Sequence, residues 1–190
     1  MLEEYRPDNL HVFAYGSLIW NPEFEYVTSN KANVAGWHRA FCFSLTRWRG
    51  TKELPALMLA LDRGGSCRGV LYELAPSDIT KQLYALMERE LDAKKATNVP
   101  KWIMVDTPSG KVKALTFVAD RKGPAYAGKK SLEEIADVIS RAAGHWGSNA
   151  IYLQRTVEKL AHHGIRDRNL WKLQALVADL IKSKHWKKTP

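Results

Sequence analysis

Phe13-Ala14-Tyr15-Gly16-Ser17-Leu18-Ile19-Trp20 reads as an apolar strand that runs into a glycine and a serine. Glycine permits a sharp turn at that point, and the exposed N–H groups of such a turn can bind an anion or a carbonyl oxygen. Taken alone the stretch is an ordinary tight turn; what surrounds it gives it weight. Segments of strand character fall at residues 11–15, 34–45, 56–61, 67–74, 101–106 and 112–119, separated by turn residues such as Arg63-Gly64-Gly65-Ser66 and Pro108-Ser109-Gly110. Six short strands predict a small curled sheet or barrel. The last third of the chain is helical, so the fold class is α+β, with helices packed around the sheet.

The helices are marked by their caps. Ser131-Leu132-Glu133-Glu134 is a capping box, in which the serine hydroxyl and the Glu134 carboxylate each satisfy a free N–H, and Gly144 is placed to end that helix. Ser148 caps a second helix running to Gly164, and Asp167 caps a third, along which Leu170, Leu173, Val177, Leu180 and Ile181 recur at helical spacing. These three are read as scaffold packed on the sheet. The whole chain, 1–190, is expected to form a single domain, with residues 1–9 and 183–190 as flexible tails.

A further helix, at about residues 78–91 with Ser77 as its N-cap, carries an anomaly. At about 100° per residue with Ile79 as origin, Leu83 falls near 40°, Leu86 near −20° and Met87 near 80°, and Glu90 falls near 20° in the middle of that apolar stripe. Glu88 lands near 180° and is expected to face water. Burying a carboxylate costs several kcal/mol unless a partner or a proton offsets the charge. Either Glu90 is a frayed or ion-paired helix end, or it is a general base whose desolvated carboxyl titrates nearer neutrality, where it can take and return a proton.

Composition narrows the setting. The chain of 190 residues is 45% hydrophobic with seven Trp, enough to fill a core. Residues 1–9 show no secretory pattern, and no apolar run approaches the ~20 residues that a membrane helix needs. Cys42 and Cys67 have no second Cys or His at ligand spacing, so neither a disulfide framework nor a metal site is expected, and a cytoplasmic location follows. The formal charge of +9 is scattered in pairs such as Lys94-Lys95, Arg121-Lys122 and Lys129-Lys130, with a true cluster only at 182–188. That distribution favours solvated helix ends over a nucleic-acid stripe, and a moderate positive field also suits a small anionic substrate.

Phe13 to Asn21 is similar to the signature loop of the γ-glutamylcyclotransferase superfamily, and specifically of its ChaC family. Other segments agree in order: Gly36-Trp37-His38-Arg39-Ala40-Phe41, Arg49-Gly50-Thr51, the run from Leu59 to Val70, the Arg89-Glu90 pair, Tyr126-Ala127-Gly128, Gly147 to Leu153, and His163-Gly164-Ile165-Arg166-Asp167. The resemblance extends from about Val12 to Val177. It implies a small mixed β-barrel and a cofactor-free enzyme that cleaves glutathione to 5-oxoproline and Cys-Gly by attack of the α-amino group on the γ-carbonyl. It further implies that Glu90 does the proton work and that Tyr15, Gly16, Ser17 and Leu18 hold the γ-glutamyl moiety, with Tyr126 and Tyr152 as further pocket residues. Of Arg39, Arg47 and Arg49, any of which can meet a substrate carboxylate, only Arg49 is assigned to binding and the other two to structure.

The chain departs from the family pattern between Leu91 and Pro100, where it is about two residues longer. There Asn98 stands in place of a tyrosine, a change that bears on substrate choice. Two alternatives therefore accompany glutathione cleavage: cyclisation of a different γ-glutamyl peptide or amine, and a non-catalytic binding or regulatory domain with a basic surface. A monomer is the expected state.

Overall fold

The computed structural model describes residues 9–91 and 97–186, with side chains up to Ser183. Strands β1 (His11–Ala14), β2 (Tyr26–Leu45), β3 (Ala56–Leu74), β4 (Asn98–Thr107) and β5 (Gly110–Ala119) close into a barrel in the order β1-β3-β2-β4-β5. The barrel is mixed, because β1 and β3 each pair parallel with β5 while the remaining pairs are antiparallel. Phe13, Leu61, Leu115 and Phe117 are among its fully buried side chains, and the buried Thr116 hydroxyl donates to the Phe13 carbonyl at 2.8 Å, tying β1 to β5.

The expected mixed barrel is present, but its strands are longer and fewer. Arg63-Gly64-Gly65-Ser66 is not a turn: β3 runs through it, merging the strands expected at 56–61 and 67–74. The pairing steps from Ala35↔Ser66 to Trp37↔Arg63, so Gly36 faces both Gly64 and Gly65 in a β-bulge. Gly64 and Gly65 take φ of +103° and +65°, which only glycine adopts freely, and the pair therefore bends the strand where a turn was expected. The strand expected at 34–45 begins at Tyr26, because residues 26–31 are exposed and carry no apolar alternation to reveal them.

Helix α1 (Ile79–Glu90) crosses between β3 and β4, and α2 (Leu132–Arg141), α3 (Asn149–His162) and α4 (Arg168–Trp186) pack around the barrel. The Ser131 capping box is complete, Ser148 caps α3, and Asp167 Oδ1 accepts from the first N–H groups of α4. Two caps differ from expectation. Asp78 caps α1 by accepting from the Lys81 N–H, because it sits one residue closer to the first turn; the Ser77 hydroxyl instead donates to Glu25. Gly144 does not end α2, whose cap is Ala142; it lies in the small hairpin of β6 (Ala143–Gly144) and β7 (Gly147–Ser148). A Cβ on Gly144 would sit 2.4 Å from the Trp48 carbonyl oxygen, so glycine is required there for close approach.

The tails expected at 1–9 and 183–190 fall largely outside the described residues, as do most side chains of the basic cluster at 182–188 and the leader-free reading of 1–9. Residues 183–186 continue α4. Among the described residues, no helix is long and apolar enough to cross a membrane.

Candidate active site

The break after β1 is a 3-10 turn, Ser17–Ile19, in which Ile19 N–H donates to Gly16 and Trp20 N–H to Ser17. The first N–H groups of such a turn have no partner within it. Gly16 makes the break with φ −137°, so the sharp turn expected of it does not use the left-handed conformation. Arg39 holds the turn from behind: its Nε donates to the Tyr15 carbonyl at 2.7 Å, and its Nη1 pairs with Asp167 at 3.0 Å. That is the structural role expected of Arg39.

In front of the turn lies a small inner pocket lined by Tyr15, Gly16, Ser17, Leu18, Met58, Leu59, Glu90, Asn98 and Tyr152. Its residues Ser17, Met58, Glu90, Asn98 and Tyr152 also line a larger cavity of about 760 Å³, which opens past Trp20, Arg47, Trp48, Arg49, Trp146 and Arg155. Seven of the eight residues expected to form a site, Tyr15, Gly16, Ser17, Leu18, Arg49, Glu90 and Tyr152, therefore line one continuous space.

Tyr126 is placed elsewhere. Its hydroxyl donates to Asp62 at 2.8 Å beside Arg121, its backbone bridges to Phe43, and it lines neither space. Burial would raise the Asp62 pKa, but hydrogen bonds from Arg121, Tyr126 and the Arg63 amide outweigh it and hold the carboxyl below its ordinary value. Tyr126 is thus a satisfied structural tyrosine.

Glu90 closes the last turn of α1, and its side chain is 13% exposed, while Glu88 on the opposite face is exposed at the cavity edge. Burial pushes the Glu90 pKa up; Arg89, at 3.2 Å, opposes it, and the charge of Glu23 adds to it. The same Arg89 also pairs with Glu23 at 3.1 Å and donates to the Asn21 carbonyl, so its charge is shared. Burial followed by the field of Glu90 raises Tyr15 and Tyr152, which keeps both phenols protonated and available as donors.

Helix α3 supplies the cavity's other wall because Asn149 fastens its start to β3. The buried Asn149 side chain accepts from Leu57 N–H and donates to the Leu57 carbonyl, both at 2.9 Å, as a neighbouring strand would. Tyr152 and Arg155 follow at three-residue steps and point the same way. The α3 helix is therefore more than scaffold. Trp48 is held at φ +63°, rare for a bulky residue, with its carbonyl accepting from Trp146 N–H at 2.8 Å and the two indoles stacked 5.5 Å apart.

Arg47, read from sequence as structural, lies over the Trp48 ring and lines the cavity. Arg49 lies over Tyr152 and donates to the Ser148 carbonyl at 3.1 Å. Burial, then the like charge of Arg155, lowers the pKa of Arg49, so a bound anion would relieve both guanidinium groups. Arg155 was not legible from sequence, although its spacing from Asn149 and Tyr152 on one helix face was an available signal. Among the described residues, no cluster of His, Cys, Asp or Glu is arranged to hold a metal ion, and Cys42 and Cys67 are buried free thiols.

A family model for ChaC-like proteins matches residues 10–180. The chain is 37% identical over 179 residues to the glutathione-specific gamma-glutamylcyclotransferase of Escherichia coli (strain K12), covering 93% of this chain and 77% of that protein. It is 35% identical over 159 residues to the glutathione-specific gamma-glutamylcyclotransferase 1 of Homo sapiens, covering 80% and 70%. The crystal structure of the yeast gamma-glutamyl cyclotransferase specific to glutathione superposes with a TM-score of 0.80 at 21% identity, over 91% of this chain and 97% of that one, and so shares the fold.

Proposed function

The chain belongs to the ChaC-like family, and from that premise we propose that it is a γ-glutamylcyclotransferase that cleaves glutathione to 5-oxoproline and Cys-Gly. The observation that carries the reading is a desolvated Glu90, its pKa raised by burial against the opposing charge of Arg89, facing the first N–H groups of the Ser17–Ile19 turn across a pocket sized for one small group. The curated relatives named above are glutathione-specific enzymes, which supports glutathione as the substrate.

In this reaction the α-amino nitrogen of the γ-glutamyl residue forms a bond to its own γ-carbonyl carbon, and the bond from that carbon to the cysteinyl nitrogen breaks. Glu90 enters as carboxylate, takes a proton from the attacking nitrogen, and returns one to the departing nitrogen. The N–H groups at the start of the 3-10 turn are disposed to receive the oxygen that gains charge, and a preorganised donor of that kind is worth about 10²–10³ in rate. Arg49 and Arg155 receive a carboxylate of the substrate, and the wall of Trp20, Met58, Trp48 and Trp146 covers its apolar parts. Holding the chain folded for ring closure lowers the barrier by several kcal/mol more.

A cytoplasmic location belongs to the same reading, supported by the two buried free thiols. So does a monomeric enzyme. The deciding assay is incubation with glutathione and identification of both products. Turnover of other γ-glutamyl peptides in its place would keep the cyclisation and change the substrate.

The pH dependence follows from the charges around Glu90. Attack needs the carboxylate, so kcat/KM falls as the pH drops through the raised Glu90 pKa. Removing the negative charge in Glu23→Gln lowers that midpoint, and removing the positive charge in Arg89→Met raises it. Measured pH profiles of the two variants that move in the same direction would refute the assignment.

A further inference from the structure

Two buried side-chain polar atoms among the described residues have no hydrogen-bond partner: Trp20 Nε1 and Asn98 Oδ1. Such groups are uncommon in folded proteins, and each calls for an explanation. Trp20 Nε1 is a donor and lines only the outer cavity. Asn98 Oδ1 is an acceptor on a 7% exposed residue, and Asn98 shares the inner pocket with Glu90, Tyr152 and the Tyr15–Leu18 turn. Its backbone is fixed, since Asn98 opens β4 opposite Ala119.

We infer that Asn98 Oδ1 accepts a hydrogen bond from the substrate α-amino group and fixes the direction of its attack, a role that rests on the cyclisation proposed above. A neutral amine carries two N–H groups and one lone pair, and cyclisation requires the lone pair to face the γ-carbonyl carbon. One N–H group directed at an acceptor leaves the nitrogen free to rotate; two acceptors orient it. Glu90 is the first acceptor and takes its proton as the C–N bond forms. Asn98 is the second, and keeps its hydrogen bond to the N–H that remains in the lactam.

An amide suits this position better than a carboxylate. A second negative charge beside the amine would stabilise the unreactive ammonium and would raise Glu90 further. Tyr15 and Tyr152, the other polar side chains of the inner pocket outside the turn and Glu90, are protonated phenols that serve best as donors to substrate oxygen. Asn98 therefore selects substrates with a free α-amino group, and its effect falls on kcat more than on KM.

The test compares wild type, Asn98→Leu and Asn98→Asp in steady-state 5-oxoproline formation from glutathione, with thermal melts of each. Asn98→Leu is expected to lower kcat about 10- to 100-fold with KM changed less than about threefold and a melting temperature no lower than wild type, because the orphaned acceptor is gone. Asn98→Asp keeps the shape and the acceptor, and is expected to fold, to lose activity at neutral pH, and to recover toward wild type as pH rises and the ammonium deprotonates. An active wild type with Asn98→Leu within twofold of its kcat overturns the inference and leaves the cyclotransferase reading intact. The inference also fails if the activity of Asn98→Leu falls only in step with its folded fraction while Asn98→Asp keeps the wild-type pH profile. A wild type that yields no 5-oxoproline from glutathione or from a panel of γ-glutamyl compounds overturns both.

Discussion

Glu90→Gln lowers kcat for 5-oxoproline formation by about 10²- to 10⁴-fold, the range lost when a general acid–base group is removed, while glutathione still binds. The expected melting temperature is equal to or above that of wild type at neutral pH. A carboxyl whose folded pKa lies above its unfolded value is bound to more protons in the folded state, so its contribution to stability is most favourable below the unfolded value and declines as pH rises through the folded one. Glutamine carries no charge and removes that decline. Enzyme assay and thermal melt on one preparation therefore separate catalysis from folding. Full activity in the folded variant would mean that some other group moves the proton.

Gly69→Ala is expected to destabilise the protein by about 2–3 kcal/mol, as overpacking of a closed core does, and to lower the melting temperature by about 5–10 °C. A Cβ on Gly69 would lie 2.4 Å from the Ala14 carbonyl oxygen and 2.6 Å from Phe13 Cζ, and neither the strand backbone nor a fully buried ring can yield cheaply. The forced shift falls on β1 just before Tyr15 and the turn that lines the inner pocket. The residual folded enzyme should thus lose up to about 10²-fold in kcat/KM, the scale associated with an ångström of misplacement in a reacting constellation. Denaturant unfolding and activity at a temperature where the variant is folded measure the two effects. A variant as stable as wild type would show that β1 and β3 are not locked at this point.

Several features were readable from the residues because their causes are local. The capping box at Ser131 depends on four consecutive residues, and the caps at Ser148 and Asp167 on similarly short spans. The placement of Glu90 among Ile79, Leu83, Leu86 and Met87 follows from helical geometry alone, and the side chain is indeed largely covered. Glycine was misread where its reason was not local. Gly64 and Gly65 looked like a turn because Gly36, which faces them, lies far back along the chain, and the bulge exists only in that pairing. Gly144 looked like a helix cap, whereas it is glycine because the carbonyl of Trp48 crosses above it.

The site divides along the same line. Family resemblance pointed at the turn, Glu90, Arg49 and Tyr152, but it also pointed at Tyr126, whose hydroxyl donates to Asp62 away from the cavity lining. Arg47 and Trp48, Arg155, Trp146 and the unpartnered Asn98 oxygen come from distant parts of the chain, and apart from the step from Tyr152 to Arg155 on α3 nothing in their spacing announces that they meet. By itself the sequence determined the α+β class, the starts of the last three helices, and a carboxylate on an apolar face, since periodicity and capping act over one or two turns. Only the tertiary structure decided which cations and which orphaned groups share the cavity with that carboxylate, because barrel closure brings together residues whose separation along the chain carries no record of the contact.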